Sequence, residues 1–196
     1  MKYFVAHLLN GDAYQYHLSL TKELSDRFRI TPLHERVDPH ISIKSFEAND
    51  YEIGQVEILL GRVAQRSSPA PLMIEGFGRF GYKTLFLDVQ KSRAATLFAR
   101  ECITEMNALP WMRSVAYEGE KLHSSVARYL RFSQSKKIWH LLRKRETPHF
   151  RTQLDAITIL KKPGRRWEKH RTFVLGAPSM QSSICSDFVS TPAVTI

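Results

Sequence analysis

Hydrophobic and polar positions along the chain switch between two periods, one of two residues and one of three to four. Alternating runs predict strands, and apolar residues at helical spacing predict amphipathic helices. The strands predicted in this way cover residues 2–9, 40–46, 72–77, 83–89, 122–127, 153–160 and 171–175. The predicted helices cover residues 16–28, 50–65, 92–108 and 135–145, with Ser92 as the N-cap of the third.

The order strand, helix, strand, helix, strand occurs twice, over residues 2–77 and again over residues 83–160. A supersecondary order that repeats in this way indicates a duplication. The pattern therefore predicts two similar lobes with a cleft between them. Similarity between the halves at the level of single residues is confined to one short motif.

That motif is His-x-Ser followed by a hydrophobic residue, and it begins at His40 and again at His123. Because side chains alternate between the faces of a strand, each histidine shares a face with a serine, Ser42 in one strand and Ser125 in the other. Two such strands facing each other would form a cradle for a phosphate. The hydroxyls can bind oxygens while one imidazole removes a proton and the other supplies one, without a metal or a cofactor. One copy of this motif carries little information, but two equivalent copies favour a catalytic pair.

With these motifs the chain resembles the two-histidine (2H) phosphoesterases, and among them the LigT-like family of 2′-5′ RNA ligases and 2′,3′-cyclic phosphodiesterases. Residues 39–46 and 122–128 match the two family motifs, and residues 74–89 resemble the hairpin between the family's lobes. The resemblance implies an α+β fold, whose duplicated β-α-β-α-β lobes carry two antiparallel-rich sheets facing a central cleft. It covers residues 1–176, which we expect to form a single bilobal domain, and leaves residues 177–196 as a C-terminal tail.

The resemblance also implies an activity, hydrolysis of 2′,3′-cyclic phosphodiesters at an RNA 3′ end or on a small nucleotide, usually to a 2′-phosphate. Matched position by position, His40 and His123 would be the acid–base pair, with His123 the base by family analogy, and Ser42 and Ser125 would hold the phosphate. Ser124 departs from the family, which usually has an apolar residue there, and predicts imperfect packing behind the second motif. Two alternatives stay open: a module that binds RNA or nucleotide ends without turnover, and a reversible 2′-5′ RNA ligase.

Six further residues are candidates for substrate contacts. Lys44 shares the face of His40 if its strand stays regular, whereas Arg128 needs a bulge or a strand end to reach the cleft. His7 lies on the first strand and could line the cleft with Leu9, although a structural role explains it better. The aromatic candidates for stacking on a base are Phe46, Tyr82 and Tyr129, each of which also fits a place in the core.

Charge and composition agree with a polyanionic ligand. The formal net charge is +10, from 29 Lys and Arg against 19 Asp and Glu.

Gly76-x-Gly78-x-x-Gly81 fits the dinucleotide-binding pattern, but the strand predicted after it favours a hairpin instead. No histidine spacing predicts a zinc site, and Cys102 is expected to be a small buried hydrophobe. Because no apolar run could cross a bilayer, no signal peptide is visible and one chain forms the cleft, we expect a cytoplasmic monomer.

Overall fold

The computed structural model describes residues 1–115 and 121–176. In these ranges the strands are β1 (Lys2–Leu8), β2 (His40–Glu47), β3 (Ala70–Phe80), β4 (Thr84–Lys91), β5 (His123–Arg128), β6 (His149–Leu154), β7 (Ala156–Lys161) and β8 (Glu168–Val174). The helices are α1 (Gly11–Phe28), α2 (Leu33–Arg36), α3 (Asp50–Arg66), α4 (Arg93–Asn107) and α5 (Phe132–Leu142). Residues 177–196, predicted as a tail, lie outside the described residues.

The strands form two antiparallel four-stranded sheets, with the orders β2-β1-β7-β8 and β5-β4-β3-β6. This confirms the α+β prediction with two antiparallel sheets. One strand of each half crosses to the sheet of the other half: β3 pairs with β4, and β7 pairs with β1. As a result β2 and β5, which begin with the two histidines, are corresponding edge strands, and they lie next to each other.

The single strand predicted over residues 153–160 is wrong, because the chain changes sheets at Asp155. Leu154 pairs with Ala70 in one sheet, and Thr158 pairs with Ala6 in the other. Leu154 and Ile157 are both fully buried, so hydrophobicity continues across the break and gives no sign of it. The backbone amide of Leu175 donates to the Asp155 carbonyl at 2.8 Å and holds the corner.

Helices cover the sheets and complete a core that both halves share. The apolar faces of α1, α3 and α4 contribute Leu24, Val56 and Phe98 to it. Ser92 caps α4 as predicted, since its hydroxyl accepts from the amide of Ala95 at 3.1 Å. Cys102 is fully buried in the same helix, as predicted, and burial raises the pKa of its thiol to about 12.

The glycine-rich segment forms the β3–β4 hairpin, as its spacing and the following strand predicted. Gly81 lies in the turn with φ +53°, and Gly76 lies with φ +79° where the pairing of the two strands slips. Gly78 has a different role, because a Cβ there would collide with the ring of Phe86. Phe86 in turn packs against the His123 ring at 5.0 Å between centroids, so Gly78 leaves room for the ring that supports His123.

Replacing Gly78 with alanine should therefore displace Phe86 and lower the free energy of unfolding by about 1–3 kcal/mol, the usual cost of overpacking. Urea unfolding measures this change. Gly54→Ala in α3 is the matched control, since nothing lies within 4 Å of its added Cβ and it should stabilise the protein by about 0.5–1 kcal/mol. Equal effects of the two substitutions would contradict this role of Gly78.

Candidate active site

A direct hydrogen bond joins the two histidine strands. The Ser124 hydroxyl donates to the backbone carbonyl of His40 at 2.8 Å, and Ser124 is completely inaccessible to solvent. The expectation of imperfect packing at Ser124 is therefore wrong, because its hydroxyl has a specific buried partner. The bond connects residues 84 positions apart in the chain and couples the start of β2 to the start of β5.

Both histidines are oriented by the same backbone contact. His40 Nδ1 lies 2.7 Å from the carbonyl of Asp38, and His123 Nδ1 lies 3.0 Å from the carbonyl of Lys121. Because a carbonyl only accepts, Nδ1 carries the hydrogen in each ring, and Nε2 is left as the nitrogen that can exchange a proton.

The residues that offer these carbonyls are themselves held by ion pairs. Arg166 donates to the Asp38 carboxylate at 2.5 Å, and Lys121 donates to the carboxylate of Asp88 at 2.9 Å. The rings also pack on aromatic side chains: His40 lies 4.9 Å from Phe4, and His123 lies 4.8 Å from Phe80. Each imidazole is thus fixed from two directions.

Burial lowers the pKa of both histidines. For His40 it lowers the pKa to about 4, and the nearby Arg128 and His123 act in the same direction against the opposing bond to Asp38. For His123 burial is again the main cause, and the cations Arg128 and Lys121 add to it. Both rings are consequently neutral near pH 7 in the empty site, and an anion placed between them would raise both pKa values.

A bulge in each histidine strand decides which side chains reach the cleft. In β2 the pairing skips Ile43, since Ala6 faces Ser42 and Val5 faces Lys44. In β5 it skips Val126, since Phe86 faces Ser125 and Leu85 faces Ala127. Each bulge reverses the alternation after the serine.

The first bulge corrects the prediction for Lys44. It turns Lys44 away from the face of His40, so that the side chain is only 2% exposed and Nζ donates to the carbonyl of Arg113 at 3.0 Å. The second bulge is the irregularity that the prediction required for Arg128 to reach the cleft. It places Arg128 on the same face of β5 as Ser125.

A small cavity of about 100 Å³ lies beside the first histidine; we call it the His40 cavity. His40 and Ser125 line it together with Arg128 and Tyr129, whereas Ser42 and His123 lie outside its lining. Among the described residues that line it are four cationic side chains and no carboxylate: Arg36, Arg128, Lys162 and Arg165. The arrangement favours an anion beside His40 and Ser125.

The other candidates divide between core and surface. His7 is 1% exposed, and its Nδ1 contacts the Ala156 carbonyl at 3.0 Å, so it is a structural histidine and does not line the cleft. Phe46 is buried and stacks on Tyr3 with 5.6 Å between centroids. Tyr82 lies in the hairpin turn against Phe132, outside the lining of the His40 cavity. Tyr129 is 74% exposed and lines the His40 cavity.

Sequence reasoning missed three residues that line the His40 cavity. His17 of α1 contacts the Ser125 carbonyl at 2.9 Å through Nε2, and burial lowers its pKa to about 3. Its spacing with Leu20 and Leu24 looked like an ordinary buried helix face, so no signal marked it. Trp167 and Lys162 come from the basic turn after β7, and the run of Lys and Arg ending at Trp167 was a usable signal.

The part of the chain that the structure describes contains neither a cluster of metal ligands nor a membrane-spanning helix. No group of three or more His, Cys, Asp and Glu side chains within residues 1–115 and 121–176 is placed to hold a metal ion. In the same ranges no helix has both the length and the apolar character needed to span a bilayer.

Comparison with known proteins gives both a family and a fold. The model of the 2′-5′ RNA ligase superfamily matches residues 14–166. The solved structure of TT0787 from Thermus thermophilus matches with a TM-score of 0.60 and 14% identity, over 91% of this chain and 100% of that one. Escherichia coli LigT, solved with NADP⁺, matches with a TM-score of 0.59 and 15% identity, over 90% of this chain and 98% of that one. A search of curated protein sequences finds no match.

Removing the Ser124 hydroxyl should loosen the contact between the two histidine strands. We expect Ser124→Ala to lower the free energy of unfolding by about 1–3 kcal/mol, because a buried carbonyl loses its donor. Urea unfolding gives the value, and Ser133→Ala at an exposed position of α5 is the control. If the two alanine variants are equally stable, the bond between the strands contributes nothing to the fold.

Proposed function

The chain belongs to the 2′-5′ RNA ligase superfamily, and on that basis we propose that it hydrolyses 2′,3′-cyclic phosphodiesters at RNA ends or on small nucleotides. The observation that carries the proposal is the matched pair of imidazoles, each with Nδ1 held by a backbone carbonyl and Nε2 left for proton exchange. A binding module would need cations for the phosphate but would not need two groups held in the same tautomer.

In the proposed reaction the two histidines move one proton each. Because the bound anionic phosphate raises its pKa, His40 first takes up a proton from solvent at Nε2. His123 Nε2 then takes a proton from water as the water oxygen forms a bond to phosphorus, and the protonated His40 gives its Nε2 proton to the 3′-oxygen as the bond between phosphorus and that oxygen breaks. The product is a 2′-phosphate and a free 3′-hydroxyl. The two rings then return to their starting states by exchanging protons with water, so atoms and charges balance.

The phosphate would lie between the serine hydroxyls and the cations. Ser125 and Ser42 can donate to non-bridging oxygens, while Arg128 and Lys162 supply positive charge. Solved structures of E. coli LigT contain NADP⁺ or 3′-AMP. We extend nucleotide binding to this chain as part of the proposal, with both histidines from one polypeptide and hence a monomer as the active unit.

The direct test is hydrolysis of the four nucleoside 2′,3′-cyclic phosphates in the presence of EDTA. We expect turnover by the wild type and a loss of roughly 100-fold or more in both His40→Ala and His123→Ala, since each removes one partner in proton transfer. His140→Ala is the control, because His140 is exposed on α5 and should keep full activity.

Undiminished turnover in either active-site variant would rule out the two-histidine mechanism. If the wild type binds nucleotides without any turnover, the module that only binds nucleotide ends becomes the better description. Ligation is distinguished in the same assay by adding RNA with a free 5′-hydroxyl and looking for a joined product.

Anion binding should be accompanied by proton uptake. Because the pKa of His40 is about 4 in the empty site and a bound anion raises it, affinity should increase as pH falls below the raised pKa and level off below about pH 4. Sulfate is a suitable probe because its own charge is constant over this range. Calorimetry in buffers of different ionisation enthalpy measures the protons taken up.

The His40→Gln variant separates this effect from general electrostatics. It keeps a polar side chain of similar length but does not titrate, so the part of the proton uptake due to His40 should disappear. Equal proton uptake by the variant and the wild type would show that His40 is not the group that gains the proton.

A further inference from the structure

A second, larger cavity continues from the His40 cavity along the surface. Its volume is about 670 Å³, within the usual range for ligand sites. The two cavities share four lining residues, Arg128, Tyr129, Lys162 and Trp167. We call the larger one the Trp111 groove; beyond the shared residues, its walls include Lys2, Ser45, Trp111 and Arg113.

The charge of the Trp111 groove favours a chain of phosphates. Its lining carries four cations, of which Lys2 and Arg113 lie beyond the part shared with the His40 cavity. Among the described lining residues there is one carboxylate, Glu47, and Lys2 lies 3.6 Å from it. The positive surface around the first histidine therefore extends away from the reacting phosphate.

Aromatic side chains in the groove are fixed in place. The Trp111 indole donates to the side-chain oxygen of Gln55 at 2.7 Å, and its ring packs 6.4 Å from that of Phe46. Stacking on such a ring favours binding of a single strand whichever base it carries, because every base has a flat π face. A fixed indole loses little conformational entropy when it binds.

Lys44 supports the wall of the groove at Arg113 from the protein interior. Burying a lysine is costly unless its ammonium group is hydrogen-bonded, and Nζ of Lys44 donates to the carbonyl of Arg113. This bond holds the backbone of the residue whose guanidinium supplies charge to the groove. The bulge that removes Lys44 from the catalytic face thus gives it a use in the wall of the groove.

Tyr129 marks the boundary between the two cavities. It is 74% exposed and has φ +60°, a backbone conformation that is uncommon for residues other than glycine and that concentrates at functional sites. The guanidinium of Arg128 lies 5.3 Å from the Tyr129 ring. An exposed aromatic ring beside a cation at this junction can contact an RNA strand that occupies both cavities.

We propose that the Trp111 groove binds the nucleotide on the 5′ side of the one that carries the cyclic phosphate. The preferred substrate is then an RNA strand of two or more nucleotides. The inference rests on the proposed function for the position of the reacting phosphate. The His40 cavity, about 100 Å³, holds the equivalent of roughly three waters, so the rest of the strand must lie outside it.

The test compares a nucleoside 2′,3′-cyclic phosphate with a tetraribonucleotide ending in the same group. We expect a higher kcat/KM for the tetranucleotide, and we expect Arg113→Ala and Trp111→Leu to reduce the ratio of the two kcat/KM values by roughly fivefold or more. Arg151→Ala is the matched control, because Arg151 is an exposed arginine on β6 outside both cavities, and it should leave the ratio unchanged.

Binding measured without turnover separates failure of the inference from failure of the proposed function. Fluorescence anisotropy of a labelled tetraribonucleotide with a 3′-phosphate should show a salt dependence whose slope falls by about 0.7 in Arg113→Ala, the share of one phosphate contact on a single strand. Equal kcat/KM values for the two substrates, or equal effects of Arg113→Ala and Arg151→Ala, would overturn the inference while the proposed function stands. Tight binding that depends on Arg113 with no hydrolysis of either substrate would keep the groove and overturn the proposed function.

Discussion

The site depends on the contact between two edge strands that come from different halves of the chain. β2 and β5 each begin with a histidine, and the hydrogen bond from Ser124 to the His40 carbonyl joins them where the rings begin. Because both strands also belong to four-stranded sheets, the distance between the imidazoles is set by the packing of the whole core. Proton transfer is sensitive to displacements of about 1 Å, so a rigid support of this kind is what acid–base chemistry needs.

Much of the fold was predictable because the chain repeats one order of elements with clear periods. The motif at His40 and at His123 identified the strands that meet, and the glycines after Ile74 identified the hairpin. The corner at Asp155 was not predictable, since Leu154 and Ile157 are both buried and no glycine or proline separates them. Which sheet a strand joins depends on pairing with distant strands, and local hydrophobicity carries no information about it.

The bulges set a similar limit on prediction at the site. Face assignments for His40 and Ser42 needed only regular alternation, but those for Lys44 and Arg128 depended on whether one extra residue is accommodated in the strand. Ile43 and Val126 look like ordinary strand residues, so nothing local marks the bulges. His17 was missed for another reason. In a sequence, a histidine that lines a cavity from the apolar face of a helix looks the same as a histidine that is buried only for packing.

The crossing of β3 and β7 between the two sheets also has a consequence for how the protein is made. Tyr3 at the start of β1 pairs with Lys161 in β7, so the sheet that contains His40 stays incomplete until nearly all of the described chain has left the ribosome. Contacts between such distant residues form slowly, because a long loop must close before they stabilise anything. The N-terminal half therefore emerges with an open edge on β1, and until β7 arrives that edge is a surface on which another chain can pair.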